Sequence, residues 1–137
     1  METFKFSMPL TVRVSEINYR NHVSYHNYLL YFQEARIGYF NQLGCTEKDI
    51  YGVGMVVSEV TCQYKRQLFL GDVIRVSCGM TKVEPKMFQL GYQIEKAGAV
   101  CALGYTTNLC YDYALERVVP LPDAFIEAIR LYEPGVK

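Results

Sequence analysis

The chain has 137 residues, its 14 Lys and Arg are balanced by 14 Asp and Glu, and half of its residues are apolar. This length and balance predict one globular domain over residues 1–137 and exclude a disordered or fibrous chain. Without a run rich in Lys and Arg, the sequence favours neither nucleic acid nor an anionic membrane surface as a partner.

A first strand is predicted over residues 4–14, where the even positions are apolar and the odd positions are mostly polar. From Tyr28 the apolar residues recur three or four positions apart, which predicts one long amphipathic helix. Ser24 fits as the N-cap of this helix, and Gly44 fits as the left-handed residue that ends it.

The remaining elements are short. A single helical turn is predicted at residues 46–51 from Thr46 and Asp49, which have capping-box spacing. A last helix is predicted from Pro122, in its first turn, to about Tyr132. Four strands are predicted between them, at residues 55–68, 72–83, 87–95 and 99–113.

The links between these strands are tight turns, so neighbouring strands should run antiparallel. The sequence therefore predicts an α+β domain in which a five-stranded antiparallel sheet wraps one long central helix. Such a sheet exposes two edges and covers the helix with one face only. Pairing with a second copy, as a homodimer or homotetramer, is the expected remedy.

The chain shows no targeting or metal-binding pattern. No stretch is long and apolar enough to cross a membrane, and charges at Glu2 and Lys5 interrupt any signal-peptide core, which indicates a cytoplasmic protein. The five cysteines are widely spaced and form no C-x-x-C pair, a pattern that favours neither a disulfide framework nor a zinc site. No metal or redox cofactor is predicted.

Polar and aromatic residues concentrate between residues 16 and 28, where the first strand leads into the long helix, and both histidines of the chain lie there. A helix N-terminus has unpaired backbone N–H groups and the positive end of the helix dipole, so it can hold an oxyanion. The alternative is that these residues merely cap the helix.

Residues 12–36 read V-R-V-S-E-I-N-Y-R-N-H-V-S-Y-H-N-Y-L-L-Y-F-Q-E-A-R, and Tyr64 and Gly71-Asp72 follow further along. This pattern resembles the hot-dog-fold acyl-CoA thioesterases of the 4-hydroxybenzoyl-CoA thioesterase type. The resemblance implies a hot-dog fold, active sites at a subunit interface, and hydrolysis of an acyl thioester. CoA would enter as part of the substrate, with no other cofactor.

The resemblance also implies roles for two residues at this junction. The backbone N–H of Tyr25, at the helix start, would polarise the thioester carbonyl. Position 18 is where that family keeps a catalytic aspartate, but this chain has Asn18. An amide cannot accept a proton at neutral pH, although it can orient a water molecule.

The same superfamily contains thioesterases of enediyne polyketide pathways, which carry an asparagine at this position. This chain is similar to their pattern at Glu16, Asn18, Val23, Tyr25, Asn27, Tyr28, Leu29 and Arg36. The similarity implies hydrolysis without a carboxylate, in which Asn18 holds the water and Arg36 supports the developing charge. Alternatively, Arg36 pairs with a nearby carboxylate.

Further candidate residues have an ordinary structural interpretation as well as a functional one. Glu16 could supply the base that Asn18 lacks, or be a solvated carboxylate at the strand end. His22 could line the substrate pocket with Tyr28, or be a structural histidine bonded to the backbone.

Basic residues are the candidates for binding the CoA part of the substrate. Lys65, Arg66 and Lys86 could contact the CoA phosphates, or be solvated surface residues. The predicted function is acyl-CoA hydrolysis. Two alternatives stay open, namely a thioesterase for acyl-carrier-protein or polyketide thioesters, and an acyl-CoA binder without turnover.

Overall fold

The long helix and the first strand follow the sequence pattern closely. A computed structural model describes residues 4–136, so Glu2 lies outside the described part. Strand β1 spans Phe6–Thr11 and helix α1 spans Tyr25–Gln42. Ser24 is the N-cap in an extended conformation, and Gly44 has φ +77°, as predicted for the residue that ends the helix.

The strand predicted over residues 4–14 is shorter in the structure because the chain bends after Thr11. Residues Val14–Glu16 form one 3₁₀ turn, in which the N–H of Glu16 donates to the carbonyl oxygen of Arg13 at 3.0 Å. This turn ends the alternation of apolar and polar residues and leads the chain to the start of α1.

The remaining elements form the sheet and a short C-terminal helix. They are β2 (Gly54–Tyr64), β3 (Val73–Val83), β4 (Met87–Lys96), β5 (Ala99–Asp112), β6 (Arg117–Val118) and α2 (Asp123–Tyr132). The strand order is β1-β3-β4-β5-β2, every pairing is antiparallel, and the two-residue β6 pairs with β5. The α+β prediction and the antiparallel sheet are confirmed, but the sheet has six strands and not the predicted five, because β6 adds to it.

One face of α1 packs against the concave face of the sheet. Its buried residues recur in pairs four positions apart, at Asn27, Tyr28, Tyr31, Phe32, Ala35, Arg36, Tyr39 and Phe40. The ring of Phe32 stacks on Tyr92 of β4 with 4.7 Å between centroids, and it lies where a Cβ at Gly104 would be. Glycine at 104 thus lets helix and sheet approach closely.

Three predictions about element boundaries were wrong. Residues 46–51 form turns and no helix: Thr46 Oγ1 accepts the Asp49 N–H at 3.1 Å, but Tyr51 then has φ +50°. Strand β2 ends at Tyr64 and not at 68, because the N–H groups of Lys65 and Arg66 both donate to Cys101 O. Pro122 precedes α2 as its N-cap and does not lie in its first turn.

Within residues 4–136, neither helix combines the length and apolar character needed to cross a membrane.

Candidate functional site

A groove of about 540 Å³ lies where the loop before α1, the first turn of α1 and the end of β2 meet. Its lining consists mainly of polar and aromatic side chains. These are Asn18, His22, Val23, Ser24, Tyr25, His26, Tyr28, Tyr64, Lys65, Arg66 and Gln67. The structure therefore brings together six of the nine residues predicted for the site: Asn18, His22, Tyr25, Tyr28, Lys65 and Arg66.

The first turn of α1 opens onto this groove. Tyr25 is the first helical residue, so its backbone N–H has no acceptor within the helix. No acidic residue lies in this turn, and Ser24 makes no side-chain capping bond. The positive end of the helix dipole is therefore not neutralised by a side chain of the helix itself.

Asn18 shapes the loop that forms one wall of the groove. Its Oδ1 accepts the N–H of Arg20 at 2.8 Å, and its backbone N–H donates to His22 O at 2.9 Å. Asn21 has φ +66°, a left-handed conformation that asparagine tolerates better than most residues. The tight turn therefore forms with asparagine at position 21.

The side chains of Asn18 and His22 face each other across this turn. The amide nitrogen of Asn18 lies 3.4 Å from His22 Nδ1 and 3.5 Å from His22 Nε2. His22 Nδ1 also lies 3.3 Å from the carbonyl oxygen of Val23. The tautomer in which an Nδ1–H donates to this oxygen keeps a lone pair on Nε2. The structural and the functional interpretation of His22 are thus compatible.

Glu16 does not line the groove but is buried beneath the helix start. Its carboxylate accepts the backbone N–H of Arg13 at 2.9 Å and the Tyr31 hydroxyl at 2.8 Å, and it pairs with the Arg13 guanidinium. Burial alone would raise the pKa of Glu16, but these bonds outweigh it and lower the pKa.

The Glu16 backbone ties this turn to the helix. Its carbonyl oxygen accepts the Ser24 N–H at 3.1 Å and the Asn27 side-chain amide at 2.9 Å. Asn27 is 6% exposed, so this bond is shielded from water. Glu16 and Asn27 therefore position the helix start, a role for Asn27 that sequence reasoning missed.

Two tyrosines form the aromatic wall of the groove. The Tyr28 hydroxyl donates to Arg66 O at 3.0 Å, and the Tyr64 hydroxyl donates to Tyr25 O at 2.8 Å. Their rings meet edge to face with 4.9 Å between centroids. Burial is the first cause that raises the pKa of each phenol to about 12, so both stay neutral donors. In the sequence, the feature that points to Tyr64 is an aromatic residue at the end of a strand.

Arg36 and Lys86 lie away from the groove. Arg36 is buried in the middle of α1, where Nε donates to Glu47 Oε1 at 2.8 Å and Nη1 donates to the Tyr92 hydroxyl at 3.2 Å. The alternative interpretation of Arg36, an ion pair with a carboxylate, is the one that the structure shows. Lys86 is an exposed residue in the turn between β3 and β4.

The fold and this groove define a class of protein. Residues 12–129 match the Thioesterase-like superfamily, and the chain belongs to that family. It has the hot-dog fold, and the prediction of a thioester hydrolase is confirmed at the level of the family.

Named relatives share most of the chain. A 1,4-dihydroxy-2-naphthoyl-CoA hydrolase from Thermosynechococcus vestitus is 25% identical over 117 residues, covering 82% of this chain and 80% of its own. A thioesterase from Thermus thermophilus, solved with coenzyme A and Zn, has a TM-score of 0.87 at 26% identity and covers 98% of both chains. A gentisyl-coenzyme A thioesterase shares the fold, with a TM-score of 0.82 at 23% identity over 90% of this chain and 99% of its own.

These comparisons support the superfamily and the thioesterase class. The finer assignments, to the 4-hydroxybenzoyl-CoA type or to the enediyne pattern, stay predictions.

Proposed function

We propose that this protein hydrolyses an aromatic acyl-CoA to the free acid and CoA, and that the reaction takes place in the groove at the start of α1. The observation that carries the proposal is the first turn of α1, where the Tyr25 N–H has no acceptor within the helix and Tyr25 lines the same groove as Asn18 and His22. A tetrahedral intermediate places negative charge on the former carbonyl oxygen, and backbone donors at a helix N-terminus stabilise such an oxyanion.

The nucleophile in this proposal is a water molecule oriented by Asn18. Among residues 4–136, the lining of the groove contains no carboxylate, so a histidine takes the place of the carboxylate base. His22 Nε2 accepts the proton as the water oxygen bonds to the acyl carbon. The C–S bond then breaks, and the departing thiolate takes the proton.

The aromatic acyl group is inferred from two supports. The relatives with named substrates act on dihydroxynaphthoyl-CoA and gentisyl-CoA, according to their names. The wall formed by Tyr28 and Tyr64 offers aromatic surface with fixed hydroxyl groups, which suits a flat acyl group. The role predicted for Arg36 in supporting charge stays a prediction.

The working form in this proposal is a homodimer or a homotetramer. Strand β2 is an edge of the sheet along its eleven residues, and Val57 and Val60 on it are 42% and 44% exposed. An exposed edge with apolar side chains is a surface that a second copy can cover. Size-exclusion chromatography with light scattering measures the mass directly, and a monomer would contradict this part.

The central experiment is a thiol-release assay with a panel of aryl-CoA and alkyl-CoA thioesters. Wild type is expected to prefer an aryl-CoA, and Asn18→Ala is expected to lose about two orders of magnitude in kcat, the typical contribution of a positioned catalytic group. Asn18→Asp serves as the matched variant, because aspartate can accept the same Arg20 N–H bond and preserve the loop.

The outcomes separate the alternatives. If wild type is inert while Asn18→Asp is active, the proposal is wrong, and the natural protein is either a binder or an enzyme for a carrier-bound thioester outside the panel. A preference for alkyl-CoA thioesters would contradict the aromatic assignment alone. For the proposed base, His22→Gln should lower kcat by about two orders of magnitude, and an unchanged kcat would exclude His22 as the base.

A further inference from the structure

The hydrogen bond from the Tyr64 hydroxyl to the carbonyl oxygen of Tyr25, 2.8 Å long, joins the last residue of β2 to the first residue of α1. The groups left without partners at a helix start are N–H groups, whereas a carbonyl oxygen there accepts the N–H of the residue four positions later. The Tyr64 hydroxyl therefore adds a second bond to a carbonyl oxygen that the helix already satisfies. Capping of the helix does not explain this bond.

The end of β2 holds the Tyr64 ring in a fixed place. The N–H groups of Lys65 and Arg66, which follow it, both donate to Cys101 O, at 2.8 Å and 3.1 Å. The Tyr28 hydroxyl donates to Arg66 O at 3.0 Å, and the Tyr28 ring meets the Tyr64 ring edge to face. The phenol is thus supported by its own strand and by α1, so its bond to the helix start has a defined direction.

The carbonyl group of Tyr25 belongs to the same peptide unit as the N–H of His26. In a helix the N–H groups point towards the N-terminus, so the His26 N–H points out of the start of α1, as the Tyr25 N–H does. The Asn27 N–H donates to Ser24 O at 2.9 Å, but the His26 N–H has no acceptor in the part of the chain that the structure describes. Both His26 and Tyr25 line the groove.

The bond from Tyr64 changes the donor strength of this peptide unit. A hydrogen bond to a carbonyl oxygen draws electron density from the peptide nitrogen, because the two atoms share the resonance of the amide. The N–H of the same unit then becomes a stronger donor, which is the cooperativity of hydrogen bonds in chains. The His26 N–H is therefore more strongly polarised than an N–H at a helix start without such a bond.

We propose that the His26 N–H is a second oxyanion donor beside the Tyr25 N–H, and that Tyr64 is the residue that positions and polarises it. This inference rests on the proposed function, which places the developing oxyanion at the start of α1. Negative charge on the oxygen grows as the water attacks, so a polarised donor stabilises the transition state more than the bound thioester. Tyr64 acts through the peptide unit and does not touch the reacting atoms in this role.

The kinetic test removes the Tyr64 hydroxyl alone. Tyr64→Phe should lower kcat about tenfold and leave KM unchanged, because the His26 N–H stays in place but loses one polarising bond. Wild-type kcat in this variant would overturn the proposal. A rise in KM at unchanged kcat would overturn it as well, because the hydroxyl would then act by contacting the bound substrate.

The matched control is Tyr113→Phe. The Tyr113 hydroxyl also donates to a backbone carbonyl oxygen, that of Met55, at 2.9 Å, and Tyr113 does not line the groove. This variant should keep the wild-type kcat. Thermal melting checks that both variants are folded.

A stronger phenol separates polarisation from a purely structural bond. 3-Fluorotyrosine at position 64, introduced by amber suppression, keeps the ring and the hydroxyl but is a stronger donor, so kcat should exceed the wild-type value. Burial raises the pKa of Tyr64 to about 12, which leaves room for a more acidic phenol that still holds its proton at neutral pH. A kcat no higher than wild type would contradict polarisation. This variant tests the proposal even if Tyr64→Phe does not fold.

Nuclear magnetic resonance measures the polarisation without turnover. The chain has two histidines, so labelling with ¹⁵N-histidine gives two backbone amide signals, and His22→Gln assigns them by removing one. The amide proton of His26 should shift upfield in Tyr64→Phe and stay unchanged in Tyr113→Phe. An unchanged His26 signal in Tyr64→Phe would overturn the role of Tyr64. If wild type hydrolyses no thioester, the proposed function fails, and the His26 signal still shows whether Tyr64 polarises this peptide unit.

Discussion

Two polar regions of α1, its first turn and its middle, differ in their partners. At the first turn, Tyr25 lines a groove, its N–H has no acceptor within the helix, and no acidic side chain neutralises the helix dipole. In the middle of the helix, Arg36 is buried and its guanidinium binds Glu47 and the Tyr92 hydroxyl. A polar group on a helix is a candidate for a functional site when no other protein group bonds to it. When other protein groups do bond to it, it stabilises the fold.

The strongest test of this comparison removes the backbone N–H of Tyr25 at the first turn of α1 and keeps the helix intact. Tyr25→Pro should lower kcat by about 100-fold to 1000-fold, the cost of losing one oxyanion donor. Proline fits the first position of a helix, and Ser24 already has the extended ψ of 145° that a residue before proline requires.

The control for this variant is Tyr25→Ala, which removes the same exposed side chain but keeps the backbone N–H. Steady-state kinetics and circular dichroism of both variants check the prediction. Equal activity of the two variants would exclude the Tyr25 N–H as the oxyanion donor.

Loss of the ion pair in the middle of α1 should lower the stability of the protein. Glu47→Gln leaves the buried Arg36 without its carboxylate and should lower the free energy of unfolding by about 3 kcal/mol. The matched control is Glu127→Gln, which breaks the exposed pair with Arg130 and should cost less than about 1 kcal/mol. Denaturant titration measures both, and equal costs would contradict the structural role of the buried pair.

Glu16 bonds to the start of α1 through Ser24 and Asn27, and to Tyr31 further along the helix. It should therefore make the free energy of unfolding depend on pH. Because its pKa is lowered in the folded state from an ordinary value of 4.5, its contribution is present above that value and is lost as the pH falls through the folded pKa. Glu16→Gln should cost about 2 kcal/mol at pH 7. Denaturant titrations between pH 3 and about 7 should show the difference from wild type shrinking in acid.

The smallest expected effect is at the aromatic wall. Tyr64→Phe keeps the ring contact with Tyr28 and removes the hydrogen bond to Tyr25 O, which should cost about 1 kcal/mol of stability. Differential scanning calorimetry measures the loss. A cost above that of Glu16→Gln would mean that this hydroxyl supports more of the helix start than one bond explains.

Local signals explain how much of the fold could be predicted. Ser24 and Gly44 mark the ends of α1, with Ser24 in an extended conformation and Gly44 at φ +77°, which glycine adopts without a clash because it has no Cβ. The wrong prediction at residues 46–51 has the same kind of signal, but the bond between Thr46 and Asp49 satisfies a turn as well as a helix.

The site was predictable where its residues lie within one short stretch. Asn18, His22 and Tyr25 come together because one loop carries them to the helix start. The partners of Arg36 are distant in sequence, since Glu47 follows in a later turn and Tyr92 is on β4, so no local pattern could pair them.

The hydrogen bond between Asn18 Oδ1 and the Arg20 N–H has a consequence for evolution. An aspartate oxygen accepts that bond equally well, so the loop folds with either residue. Codons for asparagine and aspartate differ by one nucleotide, so a lineage can move between a carboxylate and an amide at this position in one step. Under the proposed function, the group at residue 18 can therefore change between an amide and a carboxylate without a compensating change elsewhere in the loop.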